Sequence, residues 1–350
     1  MRIPDKILII RLSSLGDIIL ASPLLRVVHQ AFPRCRIDVL VKPEYADLVR
    51  YHPAVSSVIT LNSSAKEELR DLRGRIRTER YDVILDLHNS LRSRYLKFFS
   101  GARRVYSVNK RVIRRFAFVN LKRNFYREDV PVAERYLETA SRLGVVNDGR
   151  GLELFVPEET ISRVATMMSR YKPERHDAII GLVPSARHMT KRWPPERFRD
   201  LGIRLAREQR AKLFLFGSTE ETDYCGDIAQ MINAEVGSGA AESLAGRLSL
   251  LETAAVLDYC AIVVTNDSGL MHMAAARGRK VVAIFGSTVR EFGFFPYGTP
   301  SVVLEAAALP CRPCSHIGRE RCPEGHFRCM KDISVEEVFS AVQSFTAVAS

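Results

Sequence analysis

The sequence predicts an α/β protein built from two consecutive halves, each an open parallel sheet with helices on both faces. Three observations support this fold class. Short β-branched apolar runs alternate with helix-length segments along the chain. The alternation breaks once, in the polar stretch 148–176, and then starts again. The length of 350 residues suits two domains, because a domain usually holds roughly 100–200 residues.

The first half is predicted to alternate strands and helices, with a turn at 13–17 after its first strand. Its predicted strands are Lys6–Arg11, Arg36–Val41, Val58–Leu61 and Val83–Asp86. Its predicted helices are Ile18–Phe32, ended by Pro33, then Ser64–Arg80, Glu134–Leu143, stopped by Gly144, and Ile161–Tyr171.

The second half repeats the pattern. Its predicted strands are Ala178–Val183, Lys212–Phe216, Ala261–Thr265 and Lys280–Phe285. Its predicted helices begin at Pro194, at Glu220, at Ser249 and at Leu270, and the last covers Ser334–Val348. Ligands of such sheets bind at the carboxyl ends of the strands, so we expect the functional residues in the loops that follow them.

Composition excludes several classes of protein. A hydrophobic fraction of 46% and a charged fraction of 26% are those of a globular protein, not of a disordered or collagen-like chain. The longest apolar runs are far shorter than the roughly 18 residues of a membrane-spanning helix. Because the N-terminus lacks the features of a secretory signal, we expect a cytoplasmic protein whose seven cysteines are reduced.

The net charge of +12 is concentrated in one stretch, Leu87–Arg127, which we call the basic segment. It contains twelve of the 52 Lys and Arg residues and no Asp or Glu, so the rest of the chain is neutral. Such a field attracts polyanions: nucleic acid, anionic lipid headgroups or a phosphorylated glycolipid. Interleaved aromatic residues suit base stacking and membrane contact equally. A merely solvated basic face is the remaining alternative.

The turn after the first strand is the first candidate site. Gly16 permits close approach of a ligand, and backbone N–H groups around Ser13 and Ser14 could hold an anion. Asp17 stands at the carboxyl end of the strand, where a catalytic base belongs. The alternative is that Asp17 only caps the following helix.

Three loops of the second half form the second candidate site. The loop after Ala178–Val183 carries Thr190, with Lys191 and Arg192 placed to neutralise a phosphate. The loop after Ala261–Thr265 carries Asp267, Ser268 and Gly269 at a helix start, with His272 one turn later. Glu221 follows the strand between them in sequence and could take ribose hydroxyls. Helix caps and a packed core histidine are the alternatives.

Four cysteines form the third candidate site, with the spacing Cys311-x2-Cys314-x7-Cys322-x6-Cys329. Four thiols in so short a stretch are typical of zinc sites, but a second Cys-x2-Cys pair is absent. A structural zinc and reduced free thiols both remain open.

Taken together, these motifs resemble the ADP-heptose–lipopolysaccharide heptosyltransferases, glycosyltransferase family 9, and most of all their heptosyltransferase II branch. The resemblance is carried by ILIIRLSSLGDIILASPLL, KRWPPERF, NDSGLMHMAAARGRKVVAIFGST and the cysteine-bearing CRPCSHIGRERCPEGHFRCM. It implies a GT-B fold: two Rossmann-like domains facing a central cleft. The acceptor domain would be residues 1–170 and the nucleotide-sugar domain residues 171–350, with the terminal helix packing back on the first.

The resemblance also implies an activity. It is the inverting transfer of L-glycero-D-manno-heptose from ADP-heptose to the inner core of lipopolysaccharide, with no cofactor or catalytic metal. Asp17 matches the base proposed for the family. Other residues in or beside the family's motifs match positions that bind the sugar donor. They are Thr190, Lys191, Glu221, Asp267, Ser268, Gly269 and His272. The variable loop 187–190 leaves the individual roles there open.

In this setting the basic segment is expected to bind an acceptor that carries Kdo and lipid A, at the anionic inner face of the inner membrane. The residues assigned to that patch are Arg92, Arg94, Arg111, Arg114 and Arg115. No nucleic acid is then expected. Three rival functions remain: a family 9 enzyme with another donor or acceptor, a nucleic-acid binder that uses residues 87–127, and a zinc-stabilised binding module.

Overall fold

The computed structural model describes residues 3–62, 65–171, 178–306 and 309–346. The chain divides into two compact units. Unit 1 comprises Met1–Val112 and Val130–Phe155, and unit 2 comprises Ile113–Asp129 and Val156–Ser350. This division differs from the predicted domains chiefly in residues 113–129, which the sequence led us to place in the N-terminal domain with the rest of the basic segment.

Unit 1 is a parallel sheet with helices. Its strands are β1 (Lys6–Ile10), β2 (Arg36–Val41), β3 (Ser57–Thr60), β4 (Val83–Asp86) and β5 (Arg104–Ser107), in the order β3-β2-β1-β4-β5. Its helices are α1 (Leu15–Ile19), α2 (Ser22–Ala31), α3 (Asp47–Arg50), α4 (Lys66–Glu79), α5 (Leu91–Phe98) and α7 (Val132–Ala140). β1 is buried between β2 and β4, which explains its continuous apolar run.

Unit 2 contains a second parallel sheet. Its strands are β6 (Ala178–Val183), β7 (Ala211–Leu215), β8 (Ala241–Ser243), β9 (Ile262–Asn266), β10 (Lys280–Phe285) and β11 (Ser301–Glu305), in the order β11-β10-β9-β6-β7-β8. Its helices are α6 (Val112–Leu121), α8 (Glu158–Ser169), α9 (Pro195–Glu208), α10 (Thr222–Val236), α11 (Leu250–Leu257), α12 (Gly269–Ala276), α13 (Arg328–Lys331) and α14 (Val335–Thr346). The α/β fold class is thereby confirmed.

Some predicted elements need correction. The helix predicted at Ile18–Phe32 is two helices, α1 and α2, and Pro23 lies in the first turn of α2. The edge strands β5, β8 and β11 were not predicted, because half-exposed or very short strands lack a continuous apolar run. The predicted helix start at Ser64 and the predicted helix end at Val348 lie outside the described residues.

The terminal helix α14 and the segment 113–129 both pack within unit 2. α14 places Val338, Phe339 and Val342 in the core of unit 2, whereas the sequence led us to expect it on the N-terminal domain. Lys122 Nζ donates to the carbonyls of Cys311 (2.9 Å) and Pro313 (2.7 Å). These contacts anchor the segment.

Each sheet has one point at which the strand order reverses. In unit 1 it lies between β1 and β4, and in unit 2 between β6 and β9. Successive crossovers run to opposite faces of the sheet there, which leaves a crevice at the carboxyl ends of the two strands. Asp17 follows β1, whereas Lys191 and Asp267 follow β6 and β9. Within the described chain, no helix is both long and apolar enough to cross a bilayer.

Candidate active site

Asp17 is held by three neighbours at the switch point of unit 1, and we call these four residues the Asp17 cluster. Arg11 Nη2 lies 2.7 Å from Asp17 Oδ1. The Tyr136 hydroxyl donates to the same oxygen (3.0 Å), and the Ser14 hydroxyl donates to Oδ2 (2.9 Å). The side chains of Arg11 and Asp17 are only 11% and 16% exposed. The carboxylate is thus fixed in place by β1, α1 and α7.

The charge state of Asp17 follows from these contacts. Burial alone would raise the pKa of the carboxyl group, but the positive charge of Arg11 and the hydrogen bonds from Ser14 and Tyr136 outweigh burial. The net pKa is lowered, so Asp17 is ionised at neutral pH and can accept a hydrogen bond from a hydroxyl group. Burial and the neighbouring Asp17 conversely keep Tyr136 protonated, because they raise its pKa.

The predicted anion site at Ser13, Ser14 and Gly16 has a different use in the structure. The Ser14 N–H donates to Asp17 Oδ2 (3.3 Å), which closes a capping box with the Ser14 hydroxyl. Gly16 is buried inside α1, a helix of only five residues. The loop therefore orients Asp17. The N–H and hydroxyl groups of Ser14 are already bonded to Asp17.

The loop after β4 lies on the other side of the same switch point. Arg11 Nη1 donates to the Leu87 carbonyl (2.6 Å), which ties this loop to the Asp17 cluster. Asp86 Oδ1 accepts from the N–H groups of His88 (3.0 Å) and Asn89 (2.7 Å). Burial and the charge of Arg11 lower the pKa of His88 to about 4, so its ring is neutral at physiological pH. The sequence motifs gave no signal for Arg11, His88 or Tyr136.

A second cluster joins three loops of unit 2, and we call it the Lys191–Asp267 cluster. Lys191 Nζ lies 2.7 Å from Asp267 Oδ2, which also accepts from the Thr288 hydroxyl (2.6 Å). The Thr190 hydroxyl donates to Ser287 Oγ (3.0 Å). Lys191 is 14% and Asp267 6% exposed. The structure thus brings together predicted residues from the loops after β6 and β9.

Ser287 and Thr288 are members of this cluster that the predicted site did not contain. They follow β10, the strand next to β9. The rule that polar residues after a parallel strand face the ligand edge would have found them. Their hydroxyl groups hold Thr190 and Asp267 in place.

The remaining predicted donor residues lie in or beside α12 and β7. Ser268 is the N-cap of α12, Gly269 its first residue, and His272 is buried one turn later. Glu221 accepts from the Ser218 N–H (2.9 Å) and pairs with Arg192 (3.2 Å). Glu220, in contrast, is exposed. Glu221 is thus the less exposed of the two glutamates, and its role toward a ribose stays a prediction.

The surroundings of Lys191 are cationic. Burial lowers the pKa of His316 to about 4, and the charges of Arg115 and Lys191 lower it further. Arg115 is itself half-buried, and burial lowers its pKa. Arg115 was predicted to belong to the acceptor patch, but the structure places its charge near the Lys191–Asp267 cluster.

The other members of the acceptor patch differ in exposure. Arg94 and Arg114 are exposed, and Arg94 donates to Asn89 Oδ1 (3.2 Å). Arg92 is half-buried, and Arg111 lies 3.7 Å from Glu138. Among the described members of the patch, Arg94 and Arg114 are therefore the two that meet solvent most directly.

Gly286 is a packing constraint beside the Lys191–Asp267 cluster. A Cβ atom there would lie 2.7 Å from Met330 Cε and 2.9 Å from the Thr190 carbonyl oxygen. We expect Gly286→Ala to reduce the free energy of unfolding by about 1–3 kcal/mol, because the backbone of Thr190 cannot yield as a side chain can. Denaturant unfolding measures this loss.

Gly226→Ala is the matched control for Gly286→Ala. Gly226 lies inside α10, and a Cβ atom there would meet no atom within 4 Å. The substitution should stabilise the protein by about 0.4–1 kcal/mol, because alanine restricts the unfolded chain. Equal stability of the two variants would contradict the packing argument.

The four cysteines of the predicted zinc site lie close together in unit 2. Burial raises the pKa of Cys329 to about 12, and the neighbouring Cys314, Cys322 and Cys311 influence it. None of the described cysteines forms a disulfide. Within the described ranges, no three His, Cys, Asp or Glu side chains already lie in an arrangement that would hold a metal ion.

Solved structures contain the same architecture. The structure of Escherichia coli ADP-heptose lipopolysaccharide heptosyltransferase II aligns with a TM-score of 0.74 and 25% identity, covering 98% of this chain and 99% of that one. Two parallel sheets, each with polar side chains at its switch point, therefore define an α/β protein of the GT-B glycosyltransferase class.

The chain belongs to glycosyltransferase family 9 (heptosyltransferase), whose sequence profile matches residues 69–324. It is 28% identical to lipopolysaccharide heptosyltransferase 2 of Escherichia coli, over 97% of this chain and 98% of that protein. It is 30% identical to lipooligosaccharide heptosyltransferase 2 of Haemophilus influenzae, over 82% and 84% of the two chains. The protein is therefore an enzyme of the glycosyltransferase class, and the predicted family is confirmed.

Proposed function

We propose that this enzyme transfers L-glycero-D-manno-heptose from ADP-heptose to the inner core of lipopolysaccharide, with inversion at the anomeric carbon. The observation that carries the proposal is the ionised Asp17 at the switch point of unit 1, in a chain of this family. A carboxylate held there by Arg11, Ser14 and Tyr136 has the position and charge of a general base. Capping alone does not require the contacts with Arg11 and Tyr136.

In the proposed step, the acceptor hydroxyl attacks the anomeric carbon of the heptose as the bond to the ADP phosphate oxygen breaks. Asp17 accepts the proton of that hydroxyl. Its lowered pKa makes it a weak base, so the proton moves late, when the hydroxyl has become acidic through bond formation. Attack opposite to the leaving ADP produces the inversion.

We assign ADP-heptose to the Lys191–Asp267 cluster and its neighbours. Lys191 and the N–H groups at the start of α12 oppose the negative charge that develops on the diphosphate. Arg115 extends this positive field, and His316, whose pKa is lowered to about 4, lies beside it as a neutral ring. Glu221 has lone pairs left for the ribose hydroxyls. No residue in this assignment needs a catalytic metal.

The assay for the proposal supplies the purified enzyme with a lipid acceptor that carries lipid A and Kdo, with and without a first heptose. ADP-heptose is compared with other nucleotide sugars, and release of the nucleotide is measured. We expect turnover with ADP-heptose only. Faster turnover with another nucleotide sugar would instead support the family 9 rival with a different donor.

We further propose that the basic segment brings the enzyme to the anionic face of the inner membrane. In the described chain, most exposed large apolar side chains lie in this segment, among them Leu91 (84% exposed), Phe98 (75%) and Ile113 (85%). Apolar side chains beside Arg94 and Arg114 are typical of surfaces that insert into lipid headgroups. A nucleic-acid binder would leave the Asp17 and Lys191–Asp267 clusters without a role.

A vesicle experiment tests the membrane proposal. Ile113→Ser with Arg114→Gln should reduce co-sedimentation with vesicles that contain anionic lipid by about tenfold, because an apolar anchor and a charge are lost together. Val146→Ser with Arg142→Gln, at exposed positions outside the segment, should leave vesicle binding unchanged. Equal binding by both double variants would show that the segment is only a solvated face.

A further inference from the structure

The thiols of Cys311, Cys314, Cys322 and Cys329 line one small cavity in unit 2, and we call these residues the thiol cluster. The cavity has a volume of about 10 Å³, which is room for a single water molecule or a single ion. Three of the thiols come from irregular chain, and Cys329 comes from the short helix α13. Neither the Asp17 cluster nor the Lys191–Asp267 cluster uses any of them.

His326 lies against this cavity in a defined tautomer. Its Nδ1 atom accepts from the Arg328 N–H (3.0 Å), so the proton of the neutral ring is on Nε2. Nε2 lies 3.9 Å from Cys311 Sγ. His326 therefore presents an N–H group to Cys311, which would stabilise a thiolate there. Since one ring nitrogen carries a proton and the other accepts from Arg328, His326 is not itself a metal ligand.

The charges around the thiol cluster suit an anionic centre. Arg319 Nε donates to the Cys314 carbonyl (3.0 Å), and Lys122 Nζ donates to the Cys311 carbonyl (2.9 Å). In the part of the chain that the structure describes, neither Arg319 nor Lys122 has a carboxylate partner. Four thiolates on a divalent cation carry a net charge of −2. Arg319 and Lys122 would offset that charge, whereas the exposed Glu324, which also lines the cavity, opposes them.

We propose that Cys311, Cys314, Cys322 and Cys329 bind one structural zinc ion, with His326 hydrogen-bonded to the Cys311 sulfur. Zinc fits this ligand set, because it prefers four thiolates in a closed tetrahedral site. Among the described residues the four thiols do not already surround one point, so binding requires them to turn onto the cavity by rotation about their χ1 angles. On binding, each thiol releases its proton to solvent, and no change of oxidation state occurs.

The zinc ion would also fix the loop that carries Lys191. Thr190 and Ser287 line the same cavity. The Thr190 N–H donates to the Arg319 carbonyl (3.0 Å), and the Arg319 N–H donates to the Thr190 hydroxyl (2.7 Å). Zinc at the thiol cluster would therefore fix the segment around Arg319, which in turn holds Thr190. The ion would be structural and not catalytic.

Elemental analysis of the full-length protein, purified without chelators or affinity metals, tests the proposal. We expect one equivalent of zinc in the wild type and in Cys35→Ser, whose thiol lies in unit 1. Cys311→Ser and Cys322→Ser should lose at least nine-tenths of the metal. His326→Ala should keep the ion but bind it about 10–100-fold more weakly, because it loses only the supporting hydrogen bond.

Two measurements on the wild type avoid variants that do not fold. Titration with an organomercurial should release one zinc ion as four thiols react. Cobalt substitution should give the intense thiolate-to-metal absorption of a tetrahedral site. The proposal is overturned if the wild type neither contains zinc nor takes it up under reducing conditions, if it holds iron instead, or if Cys311→Ser keeps a full equivalent.

Discussion

Replacing Asp17 by Asn is expected to lower kcat for heptose transfer by about 10²–10⁴-fold, the usual contribution of a positioned general base. The amide keeps the shape of the carboxylate but cannot take the proton of the acceptor hydroxyl. The affinity for ADP-heptose should change by less than about threefold, because the donor is assigned to unit 2. Steady-state kinetics with the lipid acceptor, together with donor binding, measure the two effects.

Asp148→Asn is the matched control for Asp17→Asn. Asp148 is also a carboxylate of unit 1 that pairs with a buried arginine, because its Oδ2 lies 2.7 Å from Arg26 Nε. Both substitutions remove a negative charge beside a buried guanidinium, so both should destabilise the fold, although Arg26 keeps Glu153 at 2.8 Å. Only Asp17→Asn should reduce kcat. A similar loss of kcat in both variants would assign the effect of Asp17 to folding, not to catalysis.

Replacing Lys191 by Gln is expected to lower kcat/KM by about 10²–10³-fold, as for the loss of one preorganised group that stabilises developing charge. The ammonium group pairs with Asp267, and the Thr288 hydroxyl holds Asp267 in place. Because Thr288 still donates to Asp267 in the variant, the loop should keep its structure. Kinetics with ADP-heptose at saturating acceptor measure the loss.

Lys280→Gln is the control for Lys191→Gln. Lys280 begins β10, at the opposite end of the strand from Ser287 and Thr288, and its Nζ donates to the Phe345 carbonyl (2.8 Å). This substitution also removes one positive charge from unit 2, but it should leave kcat/KM within about twofold. If Lys191→Gln behaved in the same way, the donor diphosphate would have to bind elsewhere.

The sequence predicted the central strands of both sheets, because each is a continuous apolar run. It predicted Asp17, Lys191 and Asp267 because they follow such strands, and the structure places all three at switch points. Three of the four edge strands, β5, β8 and β11, escaped prediction. In β5, for example, Arg104–Ser107 alternates half-buried and exposed residues. A strand that is buried on both faces of its sheet has a continuous apolar run and can be predicted. A strand with an exposed face lacks that run and cannot.

Some residues lie at the candidate site but are far along the chain from the motifs that form it. Their presence there could not be predicted. Tyr136 reaches Asp17 from 119 positions away, and nothing in its own helix distinguishes it from a core tyrosine. Arg115 shares its segment with exposed arginines. Tertiary contacts, such as the docking of Lys122 on Cys311 and Pro313, show that this part belongs with unit 2. Contacts of this kind depend on tertiary packing, which local sequence patterns do not record.

The central claim is that the Asp17 cluster serves catalysis and the Lys191–Asp267 cluster binds the donor. Calorimetric titration of ADP-heptose into the wild type, Asp17→Asn and Lys191→Gln tests this claim most directly. The account predicts that Asp17→Asn binds the donor about as tightly as the wild type does. Lys191→Gln should bind it at least about tenfold more weakly, since one charge-assisted contact is lost. Loss of donor affinity in Asp17→Asn, with affinity intact in Lys191→Gln, would contradict the assignment of both clusters.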